Sequence, residues 1–140
     1  MSDPLHILMV EDNEIDVRAM RRSLRKQALA HELHVARDGV EALEVLRDAG
    51  RPFGERYVVL LDLNMPRMSG HEFLGELRRD PALTKAVVFV LTTSDAEEDV
   101  AGAYDHHVAG YMLKRDVAAM ATVTGMLERY AEINTFLPEL

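Results

Sequence analysis

The chain has 140 residues, 48% of them hydrophobic and 29% charged, with a formal net charge of -8. One domain around one core is the expectation at that length, and the acidic balance argues against a nucleic-acid partner, which usually needs a basic patch. With no cysteine in the chain, disulfides, thiolate metal sites and cysteine nucleophiles are excluded. The opening MSDPLHILMV lacks the basic flank and long apolar stretch of a secretory signal. No apolar run reaches the roughly 18 residues of a membrane span, so a cytoplasmic protein without a membrane partner is expected.

In chain order, residues 6–10 (HILMV) form a short apolar run that stops at Glu11-Asp12-Asn13. Behind it Val17, Met20 and Leu24 recur at helical spacing, with Asn13 as N-cap. Residues 32–36 alternate and read as a weaker strand; Asp38-Gly39 then opens a helix through Val40, Leu43 and Leu46. After a loop at 50–54, residues 57–61 make the next strong strand, and Pro66 begins another loop. Ser69 to Glu72 fits the S-x-x-E capping box, and so does Ser94 to Glu97. Residues 86–91 and 110–113 are the remaining strands. The last helix is expected to open at Asp116, with Val117, Met120 and Leu127 facing inward. His106-His107 reads as a solvated helix end, because adjacent helical residues face different ways, and the eight methionines read as core filler. Four runs apolar on both faces imply a buried parallel sheet. Five strand–helix repeats imply an α/β fold with helices on both faces and right-handed crossovers.

In such sheets functional groups gather at the carboxyl ends of the strands. Those ends carry Glu11 and Asp12, then Asp62, then Thr92-Thr93-Ser94, then Lys114. Clustered carboxylates raise one another's pKa unless a cation sits among them, and hard oxygen ligands suit Mg2+, with Mn2+ as the alternative. Acids, an ammonium and hydroxyls together suit the neutralisation of a phosphoryl group under attack by oxygen. Asp62 is the evident nucleophile, since a carboxylate can form an aspartyl phosphate.

The segments ILMVEDN, DGVEAL, VVLLDLNMPRMSG, VVFVLTTS and GYMLK, in that order over about residues 6–130, resemble the response-regulator receiver domain of two-component signalling. More narrowly, VEDNEID, LLDLNMP, LTTS and a tail ending near FLP are similar to the stand-alone regulators paired with bacterial and cyanobacterial phytochromes. The resemblance implies a flavodoxin-like (βα)5 fold with strand order 2-1-3-4-5, a tail at 131–140 and no output domain. It implies that Asp62 accepts phosphate from a histidine kinase, with a bacteriophytochrome as the candidate, and that the chain is not otherwise an enzyme. Glu11, Asp12, Asp62 and the backbone carbonyl of Asn64 would hold the metal. Lys114 and Thr92 would meet the phosphoryl oxygens, Thr92 and Tyr111 would switch, and Asn64 and Ser94 would tune dephosphorylation. A homodimer through the face of the fourth helix, fifth strand and fifth helix, with the apolar tail, is also expected.

Two positions depart from the family pattern. Glu11 stands where aspartate is common, and Arg115 follows Lys114 where proline is common, so that peptide is expected to be trans. The alternatives are a chemotaxis-type receiver or a phosphorelay intermediate, an aspartate phosphatase of the dehalogenase type, and a flavodoxin-like binding module. A dehalogenase usually has a second aspartate where this chain has Asn64, and an acidic first loop counts against flavin phosphate.

Overall fold

The computed structural model describes residues 4–115 and 117–138. Within them the order is β1 (Leu5–Val10), α1 (Glu14–Arg25), β2 (His31–Ala36), α2 (Gly39–Arg47), β3 (Tyr57–Leu61), α3 (Gly70–Arg79), β4 (Val87–Thr92), α4 (Glu97–Asp105), β5 (Gly110–Leu113) and α5 (Val117–Ile133). The five strands are parallel, in the order β2-β1-β3-β4-β5. This is the flavodoxin-like α/β architecture expected from the sequence.

Continuous apolar strands arise because successive residues feed two separate cores. Leu8, Val10, Val59, Leu61, Val88 and Val90 pack with α2 and α3 through Leu43, Leu46, Phe73, Leu74 and Leu77. Ile7, Met9, Val58, Leu60, Phe89 and Leu91 pack with α1 and α5 through Met20, Leu24, Met120, Val123 and Leu127. The side chains alternate across the sheet, so the middles of β1, β3 and β4 are apolar on both faces, and the polar strand residues are His6 and Thr92 near strand ends and His31, Glu32 and His34 on the edge strand β2. A buried hydroxyl pair that periodicity does not announce, Ser23 and Thr124 with their oxygens 2.7 Å apart, links α1 to α5.

Helix starts follow the expected caps, with one exception. Asn13 Oδ1 accepts from the N–H groups of Ile15 and Asp16, Asp38 Oδ1 accepts from that of Glu41, and the Ser69–Glu72 capping box is formed both ways. The Ser94–Glu97 box is not formed. The helix starts two residues later than the box requires, with Ala96 as an N-cap that makes no side-chain cap bond; the Ser94 hydroxyl accepts the Ala96 N–H at 3.3 Å and donates to Asp99 Oδ2 at 2.5 Å. Strand β4 also ends one residue later than the sequence suggests, at Thr92, whose carbonyl accepts the N–H of Lys114. Asp116, expected to open the last helix, lies outside the described residues, as does the side chain of Val117. The helix itself runs to Ile133, and Phe136 beyond it folds back on the Tyr130 ring and under the Arg56 guanidinium.

The segment after β3 is fixed from two sides. Gly70 N–H donates to the Leu63 carbonyl, and a Cβ on Gly70 would lie 2.6 Å from Leu63 Cα and 2.8 Å from the Asp62 carbonyl oxygen. Only a residue without a side chain lets α3 begin that close to β3. Overpacking of this kind typically costs about 1–3 kcal/mol, so Gly70→Ala should lower the urea midpoint accordingly and perturb the amide resonances of Asp62 and Leu63; an unchanged midpoint would contradict the close approach.

Candidate functional site

Strand order reverses between β1 and β3, and that junction sets the site. Val10 lies opposite Leu61 in the ladder, so the residues that follow them, Glu11 and Asp62, leave the sheet side by side. Backbone bonds extend the sheet past its last pairs: Asp62 N–H reaches the Val10 carbonyl, Glu11 N–H that of Ala36, and Lys114 N–H that of Thr92. Glu11 and Asp62 are 2% and 8% exposed, whereas Asp12 is exposed. One carboxylate oxygen from each of these three acids falls within 4.8 Å of the others.

Lys114 crosses from the tip of β5 into this group. Its ammonium donates to Glu11 Oε1 in a short contact, to Asp16 Oδ2 at 3.0 Å and to Asp62 Oδ2 at 3.5 Å. The other Asp62 oxygen accepts the Thr92 hydroxyl at 2.8 Å and the Asn64 N–H at 3.3 Å. Thr92 is fully buried while Thr93 is exposed, which separates the two adjacent hydroxyls by burial alone. Each strand tip named from the sequence therefore contributes to one cluster.

Tyr111 and Ser94 stand one step away. Tyr111 is half-buried, and its hydroxyl donates to the Ser94 carbonyl at 2.7 Å. The Ser94 hydroxyl is committed to Asp99, whose other carboxylate oxygen lies 3.0 Å from His71 Nε2. The Lys114–Arg115 peptide is trans.

Sequence reading missed two partners of the site. Asp16 looks like an ordinary first-turn acid favoured by the helix dipole, yet it is the third carboxylate on Lys114; its place one turn above the strand tips was the available signal. Arg67, at φ 62°, donates to both oxygens of Asp38 at 2.7 and 3.2 Å and so ties the β3–α3 loop to the start of α2. That hydrogen-bonded guanidinium holds the Asp38 carboxyl below its usual range.

Electrostatically, Glu11 is the strained member. Burial pushes its carboxyl up to about 7, Asp62 adds to the rise, and the bond to Lys114 opposes it. Burial also works against the charge of Lys114, but its bonds to Glu11 and Asp16 outweigh that and keep it cationic. The donor set is all oxygen and short of positive charge, which fits a hard divalent cation.

The model of the response regulator receiver domain matches residues 7–123. The chain belongs to that family. Among its relatives is the response regulator Rcp1 of Synechocystis, 39% identical over 79% of this chain and 77% of the relative. The crystal structure of the phosphorylated cyanobacterial phytochrome response regulator RcpA is similar at a TM-score of 0.86 and 32% identity, covering 97% of this chain and all of that one. The Mn2+-bound form of Rcp1 gives 0.85 and 35%, covering 96% of this chain and all of that one. The receiver of this chain is thus a two-component signalling module, homologous to phytochrome-associated regulators, and no described helix is long and apolar enough to cross a membrane.

Glu11 gives this receiver a pH signature. Its ordinary carboxyl titrates at 4.5, against about 7 when folded, so the folded state holds an extra proton between those values and this group opposes folding increasingly as pH rises through them. Glu11→Gln mimics the protonated form. Without divalent cations, the variant should match the wild-type urea midpoint near pH 4 and exceed it increasingly toward pH 8; a constant difference would show that Glu11 does not titrate in that window.

Proposed function

We propose that Asp62 is the phosphoacceptor of this receiver and that a histidine kinase is the donor. The observation that carries the reading is the convergence of Lys114 on Asp62, Glu11 and Asp16, with the Thr92 hydroxyl on the same Asp62 carboxylate. In the transfer, an Asp62 carboxylate oxygen attacks phosphorus, the bond from phosphorus to the donor imidazole nitrogen breaks, and the imidazole leaves with that electron pair. Glu11, Asp12, Asp62 and the Asn64 carbonyl would hold a divalent cation, Mg2+ or Mn2+. That cation supplies positive charge to offset the acids and the incoming phosphoryl oxygens. Lys114 shifts part of its hydrogen bonding from carboxylate to phosphoryl oxygen.

Thr92 gives up its bond to Asp62 and turns its hydroxyl to the phosphoryl group, and Tyr111 moves inward after it. The phosphoryl group biases a two-state packing through contacts made in only one state. Asn64, exposed two residues beyond Asp62, and Ser94, two beyond Thr92, flank the route of an attacking water and set how long the phosphoryl group lasts. The donor kinase is a bacteriophytochrome on this reading, which similarity to the phytochrome response regulator RcpA supports. The chain works as one receiver module, active through its surface rather than as an enzyme on other substrates.

Acetyl phosphate with Mg2+ should add one phosphoryl group, read by intact mass. The gain should vanish in Asp62→Asn and with EDTA, and fall at least tenfold in Lys114→Met. Labelling that persists in Asp62→Asn would remove the assignment.

Output would pass through the α4–β5–α5 face to a second copy. Ile133 and Leu137 are 84% and 47% exposed beside the docked Phe136, and they supply an apolar edge for that contact. Light scattering should give a dimer mass for the chain and a monomer mass for Ile133→Glu/Leu137→Glu; monomer masses for both would end the dimer.

A further inference from the structure

At the far end of the sheet from Asp62, three side chains converge that signalling does not use. His6 lies opposite Glu32 in the β1–β2 ladder, and His34 follows two residues later on the same face. His6 Nδ1 is 3.0 Å from His34 Nε2 and 3.3 Å from Glu32 Oε2, which is itself 4.0 Å from His34 Nε2. Phe53 packs against both imidazoles, with ring centroids at 5.5 and 5.1 Å. The His6 and His34 side chains are only 12% and 23% exposed, while Glu32 opens to solvent at 55%.

We infer that His6, His34 and Glu32 form a second metal site, selective for a borderline transition ion such as Zn2+ and separate from the acidic centre. Sides of 3.0, 3.3 and 4.0 Å make a triangle whose centre lies about 2.0 Å from each corner, and zinc bonds to imidazole nitrogen and carboxylate oxygen are about 2.0–2.2 Å. Two imidazoles and one carboxylate are a zinc-type donor set, whereas Mg2+ favours oxygen alone. The solvent side next to Glu32 leaves room for water as the fourth ligand.

Two imidazole nitrogens at hydrogen-bond distance share a single proton. A metal ion takes that proton's place, and the rings need only tilt so that both lone pairs meet at the ion. Burial and the neighbouring His6 lower the His34 pKa, which favours the neutral, ligating ring. Glu11 is five residue steps along from His6, about 16 Å at the rise of a strand, so occupancy of one site does not block the other. The ion would pin the outer strand β2, an edge with unpaired backbone groups, to β1.

The test is calorimetric titration of the full chain with Zn2+ in excess Mg2+, which saturates the acidic centre. One equivalent should bind, raise Tm and slow hydrogen exchange in β2. Affinity should fall at least tenfold in Glu32→Gln and in His34→Gln and persist in Asp62→Asn; Co2+ should give a d–d absorption band that Glu32→Gln alters. Glu32 is half in solvent, so its variant keeps the fold even where a histidine variant does not. No Zn2+ binding above the Mg2+ background, equal affinity in Glu32→Gln, or loss of binding in Asp62→Asn would each overturn the site. Because phosphorylation of Asp62 is read separately by mass, failure here leaves that reading untouched.

Discussion

A single ammonium group decides whether the acidic end of this sheet can exist. Glu11 and Asp62 sit at the tips of neighbouring central strands with almost no solvent contact, and buried carboxylates are tolerable only when paired, protonated or bound to a cation. Lys114 meets both of them and Asp16 as well. It arrives there because β5 is two strands from β3 and its ladder bond to Thr92 carries the chain one residue past the strand. Glutamate at position 11 matters to this geometry. Its longer arm lets one oxygen reach Lys114 while the other accepts the Asn13 N–H, so the same side chain anchors the lysine and closes the turn into α1. The carboxyl nevertheless remains raised toward neutrality, as expected where one ammonium faces three carboxylates.

Positioning of Asp62 is a backbone matter more than a side-chain one. The β3–α3 segment has a left-handed Arg67 whose guanidinium grips the buried Asp38, and it closes on Gly70, where there is no space for a Cβ. Asp38 in turn caps α2. Loop, cap and helix start are therefore one constraint, and it fixes the backbone that follows Asp62, while Thr92, Asn64 and Lys114 hold the carboxylate itself.

Sequence reading recovered what depends on local pattern. Strands at 6–10, 57–61 and 110–113 follow from apolar runs, and the caps at Asn13, Asp38 and Ser69 from residue type. The strand tips then identified Glu11, Asp12, Asp62, Thr92 and Lys114 as one group, because parallel topology leaves few other places for them. What stayed hidden were long-range pairings in which a common surface residue finds an unusual partner: Asp16 with Lys114, Arg67 with Asp38, His6 with His34. Nothing local distinguishes such a residue from a solvated one. Ser94 shows the converse error. Its S-x-x-E pattern is sound locally, but the helix begins only at Glu97, so the Ser94 oxygen accepts the Ala96 N–H in a turn before the helix and its proton goes to Asp99.

That turn bears on how a change at Asp62 could travel. Ser94 is two residues from Thr92, its hydroxyl is bound to Asp99 at the start of α4, and its carbonyl holds the Tyr111 hydroxyl from β5. Asp99 is also bound to His71 on α3. The β4–α4 loop is thus held by three elements at once, through polar bonds at half-exposed positions rather than through the apolar core. Polar bonds of this kind are worth about 1 kcal/mol each, far less than the packing of β4, so the loop can rearrange while the strand beneath it stays fixed. A pull on the Thr92 hydroxyl would have to be transmitted through Ser94, and either outcome there, bonds kept or bonds released, reaches both α4 and Tyr111. The sheet supplies a rigid seat, and the β4–α4 loop above it is held by side-chain bonds to α4, β5 and, through Asp99, α3.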